Sequence, residues 1–249
     1  MVDGGDCRGY RCVDLDECHV YDELTKKTTL AHDSSACGSV EADEQSTFQY
    51  KDKSGQLLLI STDEAQELMG CTFTSKLLFQ RTSLLRNYAF WGFADCEVDG
   101  FHHIAAQSIK SNEISPKVAI GHVASLAEVE DNPLGLFAID DIADLTFLGE
   151  YTGVLQVHNE GVNQFDPYGV SYPSVYESGD LYVSASEYGN VIRCINHSYS
   201  PNARFVPMIQ GGILHIFCFA IKDIKAGEQI FVNYGTAYWK STGFEPITV

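Results

Sequence analysis

The chain is short of positive charge. It has 16 Lys and Arg against 34 Asp and Glu in 249 residues, a formal net charge of −18. That argues against direct nucleic-acid binding, where cationic contacts to phosphate supply the affinity. It suits a basic peptide or protein as partner through complementary steering, or it serves solubility alone. There is no apolar run as long as the roughly 18 residues that a membrane-spanning helix needs, so no membrane is expected as partner. The opening residues, Met1–Asp6, lack the basic-then-apolar order of a secretory leader. Cysteines stand at 7, 12, 18, 37, 71, 96, 194 and 218, with no C-x-x-C pair. Reduced thiols in an intracellular compartment are therefore the default. Cys7, Cys12 and Cys18 with His19 are close enough to suggest zinc, but their spacing fits no usual zinc pattern, so no metal is assigned. No internal repeat is visible.

What is present is an ordinary apolar content, 45%, enough to bury a core and to exclude wholesale disorder. Residues 1–55 are acidic and rich in Gly, Ser, Thr and Asp, and read as loops and short strands. Leu57–Ile60 reads as a buried strand. Ser61-Thr62-Asp63-Glu64 reads as a helix start, since Ser or Thr can cap and acids favour the first turn. A short helix over Ala65–Met69 closes at Gly70. Leu77, Leu78, Leu84 and Leu85 lie at near-helical spacing. Phe90-Trp91-Gly92-Phe93 is core, or an aromatic surface for a partner. Lys117–Ile120 and Val123–Val129 read as two strands joined at Gly121, and Asp131-Asn132-Pro133 as a tight turn.

The chain is organised around Arg193-Cys194-Ile195-Asn196-His197-Ser198-Tyr199-Ser200-Pro201-Asn202. Ser-Pro-Asn favours a turn, so this segment reads as a structured loop whose Asn and His side chains suit a polar ligand. His215–Ile221 then reads as a buried strand and Lys222–Glu228 as a polar turn. Ile230–Val232 is a second strand that ends at Asn233-Tyr234-Gly235. Earlier come Gly135-Leu136-Phe137-Ala138 with Ile142, and Phe147-Leu148-Gly149-Glu150-Tyr151-Thr152-Gly153. Leu181–Ala185 with Gly189-Asn190 leads into the loop.

This ordered set resembles the SET-domain protein lysine methyltransferases, with their R-x-x-N-H-S-x-x-P-N loop, G-E-x turn and Tyr-Gly ending. The resemblance covers roughly residues 115–240. It implies a mixed, β-rich fold: a SET domain of small curved sheets (a β-clip) with a pseudoknot-like C-terminal crossing, preceded by an α+β N-terminal region. The expected divisions are an N-terminal region over 1–112, the SET domain over 113–236 and a tail over 237–249 without the cysteines of a post-SET element.

The resemblance further implies methyl transfer from S-adenosylmethionine to the ε-amine of a lysine. The substrate would be a basic protein, a histone first, in a nuclear setting. A non-histone target, or a catalytically weak binding module, is the alternative. Tyr234 and Tyr151 are the implied catalytic residues. Leu134, Leu136, Tyr168, Arg193, Asn196, His197, Tyr234 and Trp239 are the implied cofactor contacts, with Arg193 either bonding the cofactor or bracing the loop. Tyr172, Phe217, Val232 and Tyr238 are the implied lining of the lysine channel. A small Val232 leaves room for di- or trimethylation. Two departures stand out: Pro133 replaces the first glycine of the family's G-x-G, and Ser184 stands where Asp is usual.

Overall fold

The computed structural model describes residues 19–22, 27–30, 47–80, 113–126, 133–157, 165–173, 181–210 and 213–242. Strands β1 (His19–Asp22), β2 (Lys27–Leu30), β3 (Thr47–Lys51) and β4 (Leu57–Ser61) precede helix α1 (Thr62–Met69). The short strands β5 (Thr72–Phe73) and β6 (Leu78–Phe79) come next, then β7 (Val118–His122), β8 (Leu134–Ala138), β9 (Phe147–Glu150) and β10 (Val154–Val157). β11 (Gly169–Tyr172), β12 (Leu181–Ser184), β13 (Tyr188–Gly189) and β14 (Asn196–His197) follow. The last described elements are β15 (Ala203–Gln210), β16 (Ile213–Ala220), β17 (Gln229–Val232) and helix α2 (Gly235–Thr242).

Among the described residues these strands form small sheets rather than a barrel. One runs β14-β17-β8-β7-β3-β4, a second β11-β12-β10-β6-β1-β2, a third β15-β16-β9, and β13 pairs β5. The fold is β-rich, as expected. Strands from before residue 113 share sheets with strands after it: β3 lies parallel to β7, and β6 parallel to β10. The described part of residues 47–80 is therefore continuous with the sheets built from residues 113 onward. Near the C-terminus, β17 is held between β8 and the two-residue β14, with Asn196 opposite Phe231 and His197 opposite Val232. That crossing brings the Asn-His loop beside the strand that leads to Tyr234.

α1 forms where its start signals stand. Glu64 N–H donates to Ser61 Oγ at 3.3 Å, and the Glu64 carboxylate accepts from Ser61 N–H at 2.7 Å, a reciprocal capping box. Gly70 ends the helix in the left-handed region at φ 67, with its N–H on the Gln66 carbonyl. Ala65 and Met69 turn inward to the core. The glycine of Glu150-Tyr151-Thr152-Gly153 has a packing reason: a Cβ on Gly153 would sit 2.2 Å from the Ser184 carbonyl oxygen of the neighbouring strand.

Several expectations are corrected. Leu57–Ile60 is a strand, but Leu57, Leu58 and Leu59 are 45, 39 and 67% exposed and only Ile60 is buried, because β4 is the edge of its sheet. Leu78 belongs to strand β6 rather than to a helix, since its backbone pairs with β10 and β1; residues 81–88 lie outside the described set, as do Phe90–Phe93 and Cys7, Cys12 and Cys18. β7 runs unbroken through Gly121 and gives way to a 3-10 turn over Ala124–Leu126, so the expected break at Gly121 does not occur. Residues 135–142, which resemble the first strand pair of the family, give one strand and an isolated bridge from Ile142 to Ile224. The Arg193 loop carries more regular structure than expected. A 3-10 turn over Val191–Cys194, capped by Asn190, leads into β14.

Candidate active site

The loop, the end of β17 and helix α2 meet in one aromatic cluster. Tyr234 lies with its ring centroid 5.4 Å from His197, 4.7 Å from Tyr238 and 6.1 Å from Trp239, the last nearly parallel. Trp239 also meets His197 at 5.0 Å, edge to face. Tyr238 reaches Phe165 at 5.2 Å. The fold brings both Trp239 and Tyr238 to the cluster, because they are neighbours in the middle of α2. Phe165 and Tyr199 were not among the candidates. An exposed Tyr one residue past His197-Ser198 gave no pattern signal of its own.

His197 is held in one orientation. The Tyr234 N–H donates to its Nδ1 at 3.0 Å, so Nδ1 carries the lone pair and the proton sits on Nε2. His197 is only 6% exposed, and burial holds its pKa below the ordinary 6.5. Its Nε2 is buried and has no partner among the described residues, and the same holds for Trp239 Nε1. Buried donors of this kind are costly unless a ligand or water meets them. Two such donors in one aromatic cluster fit a flat ligand that carries acceptors. Asn196 donates Nδ2–H to the Leu134 carbonyl at 2.9 Å, which ties the loop to the start of β8. Gly135 is the next residue along, and a Cβ there would meet Gln229 Nε2 at 2.6 Å.

The two tyrosine hydroxyls point to main-chain acceptors. Tyr234 Oη donates to the Ile195 carbonyl at 2.7 Å, and Tyr151 Oη to the Tyr168 carbonyl at 2.6 Å. Tyr151 packs on Phe205 at 5.2 Å and is fully enclosed. Burial, and then the nearby Tyr234 phenol, hold its pKa well above the usual phenol value. The Tyr151 phenol thus remains a protonated donor at neutral pH.

Tyr172 and Val232 are buried in the same main core as Tyr151, and Tyr234 packs against it. Tyr172 donates to the Leu214 carbonyl at 2.9 Å. Tyr168 keeps its ring at the surface, with the Arg193 guanidinium 3.6 Å above it. Arg193 also donates to the Met69 carbonyl, so in this structure it braces the loop against α1. Two candidates are not brought to the cluster. The Leu136 side chain is wholly enclosed between β7 and β17, because the alternating pleat turns it inward. Phe217 belongs to a separate core of Phe147, Val206, Met208 and Phe219, because alternation along β16 puts it on the face opposite Ile216 and Cys218. Ser184 is buried and its Oγ accepts the Ser186 N–H at 3.4 Å. Among the described residues no group of His, Cys, Asp and Glu is placed to hold a metal ion.

Residues 134–235 match the family model for the SET domain. The histone-lysine N-methyltransferase EZH2 of Chaetomium thermophilum is 40% identical over 122 residues, 45% of this chain and 8% of that protein. The histone-lysine N-methyltransferase SUV39H2 of Xenopus tropicalis is 30% identical over 109 residues, 40% of this chain and 27% of that protein. This chain therefore spans a small fraction of those relatives' lengths. The crystal structure of ATXR5 in complex with a histone H3.1 mono-methylated on R26 superposes with a TM-score of 0.50 over 70% of this chain and 86% of that one; at 17% identity that likeness speaks to the fold alone. The matched model, the ordered motifs and the fold agree: residues 134–235 of this chain form a SET domain.

Proposed function

We propose that this chain is a protein-lysine N-methyltransferase that takes its methyl group from S-adenosylmethionine and acts on a basic protein tail, with a histone as substrate and the nucleus as its place of work. The observation that carries the reading is the pair of buried, unpartnered donors, His197 Nε2 and Trp239 Nε1, inside the Tyr234–Tyr238 aromatic cluster. They are the groups that would meet ring acceptors of an adenine. Asn196 and the Leu134 carbonyl would hold the rest of the cofactor at the loop's edge.

S-adenosylmethionine, when bound, supplies an electrophilic methyl on a sulfonium. The chain's task is to present an uncharged amine in line with it. A free lysine, with a pKa of about 10.4, is almost wholly charged at neutral pH. A channel formed around the amine by Tyr151, Tyr172, Val232, Tyr234 and Tyr238 would exclude water and favour the neutral amine. The hydroxyls of Tyr151 and Tyr234 both donate to main-chain carbonyls, so they orient by hydrogen bonding rather than act as bases. The formal charge of −18 steers a basic tail toward the site. The small Val232 leaves room for an amine that already bears methyl groups. The contributions expected are orientation and electrostatic placement.

The test is calorimetric titration with S-adenosylmethionine, followed by a radiolabelled methyl assay on core histones. Tyr234→Phe should keep donor binding and lose kcat by about a hundredfold or more. Mass spectrometry of the product should find di- or trimethyl-lysine; monomethyl-lysine alone would refute the role given to Val232. Binding without turnover on any basic protein would leave a binding module in place of an enzyme. No binding at all would end the reading.

A further inference from the structure

Helix α1 lies outside the matched domain, yet its last carbonyl reaches the edge of the site. Arg193 is 7% exposed and donates from Nη1 to the Met69 carbonyl. Its guanidinium lies 3.6 Å above the Tyr168 ring. The Tyr168 carbonyl in turn accepts the Tyr151 hydroxyl at 2.6 Å and the Ala185 N–H at 3.1 Å. A run of consecutive contacts thus joins the end of α1 to an implied catalytic tyrosine.

The electrostatics make this arrangement specific. Among the described residues no carboxylate pairs with Arg193, and its Nε has no partner. A buried guanidinium without a carboxylate is costly unless other groups fix it. Here the negative end of α1 and the face of an aromatic ring take that place. Both are directional. The carbonyl fixes one edge of the fork, and the ring fixes its plane. A shift of the helix end would therefore move the Tyr168 ring, and with it the main-chain oxygen that holds Tyr151. Gly70 holds that end in a left-handed conformation at φ 67.

Resting on the methyltransferase reading, we propose that Arg193 is a positioning residue through which the C-terminal end of α1 sets the place of Tyr151. Residues 62–70 then act on the channel wall from outside the matched domain. Arg193 touches neither donor nor amine in this assignment.

Three variants of the full chain test it. Arg193→Lys keeps the charge but cannot lie flat on the ring. Gly70→Ala strains the helix end beside Met69 without meeting any neighbour within 4 Å. Ser61→Ala removes the cap at the opposite end of the same helix. Arg193→Lys and Gly70→Ala should lower kcat by about tenfold and leave the dissociation constant of S-adenosylmethionine within about twofold. They should also speed hydrogen exchange at the Ala185 amide, a readout that needs no activity. Ser61→Ala should lower the melting temperature and leave kcat and that amide unchanged. A large rise in the donor's dissociation constant for Arg193→Lys would overturn the proposal and make Arg193 a ligand contact. An equal fall of kcat in Ser61→Ala would reduce α1 to a stability element. Unchanged kcat and exchange in Arg193→Lys would also overturn it. Should Arg193→Lys fail to fold, Tyr168→Leu removes the same stack from the exposed side and should likewise speed exchange at the Ala185 amide; unchanged exchange there would overturn the proposal. Should the wild type transfer no methyl group, the functional reading fails, while exchange at Ala185 still decides whether the relay exists.

Discussion

Asn202 closes the Arg193–Asn202 motif, and the structure gives it work unlike that of Asn196. It is 7% exposed. Its Oδ1 accepts the Phe231 N–H at 2.8 Å, and its Nδ2 donates to the Gln229 carbonyl at 2.9 Å. Its own N–H reaches the Phe231 carbonyl at 3.2 Å, and its carbonyl accepts from Ile221 at 2.9 Å. It therefore clasps the loop to β17, the strand that carries the chain to Tyr234. Asn202→Ala keeps both main-chain bonds and removes both side-chain bonds. Each is worth about 1–1.5 kcal/mol net, so the expected loss is about 2–3 kcal/mol. In a chain of this size that is a fall of about 4–12 °C in melting temperature. Urea unfolding with a fitted slope, alongside a thermal melt, measures it. Asn202→Asp sharpens the test. It keeps the acceptor but turns an oxygen toward the Gln229 carbonyl, so at neutral pH it should cost at least as much as alanine. As pH falls and the carboxyl gains a proton it can donate again, so Asp should recover relative to Ala. A loss below about 1 kcal/mol for Asn202→Ala, with the slope unchanged, would refute the clasp.

Two further outcomes rest on particular contacts. Gly153→Ala places a Cβ against a backbone oxygen rather than a side-chain tip, so no rotamer change relieves it; the loss should exceed about 3 kcal/mol and deplete soluble protein, and a normal urea midpoint would contradict the packing account. Burial holds His197 below its ordinary pKa of 6.5, so between the two values the unfolded chain binds more protons than the folded one. That share of stability is complete above about pH 6.5 and is lost as pH falls through the folded value. His197→Asn, which keeps an acceptor for the Tyr234 N–H, should flatten the pH dependence of the urea midpoint below about pH 6.5; an unchanged slope would locate the titration elsewhere.

Whatever depends on near neighbours was legible in the chain of residues. Ser61, Glu64 and Gly70 specify both ends of α1, because a capping box and a left-handed C-cap are satisfied within a few residues. Strand character in β16 and β17, and the turn between them, came from apolar runs and Gly227. The order of motifs was enough to point to the SET family, and so to Asn196, His197, Tyr151 and Tyr234. Burial was less legible: three leucines in β4 look like core, and only the strand order, which makes β4 an edge, exposes them. The resemblance implies Leu136 and Phe217 as site residues, and the pleat of their strands turns their side chains into the core. The partners of the polar groups were set by the tertiary fold. Arg193 meets a carbonyl 124 residues away, and the Asn202 amide clasps a strand 29 residues on. Local rules reach about one turn of helix or one hairpin, whereas a hydrogen bond between distant segments exists only once the sheets have fixed both backbones in place.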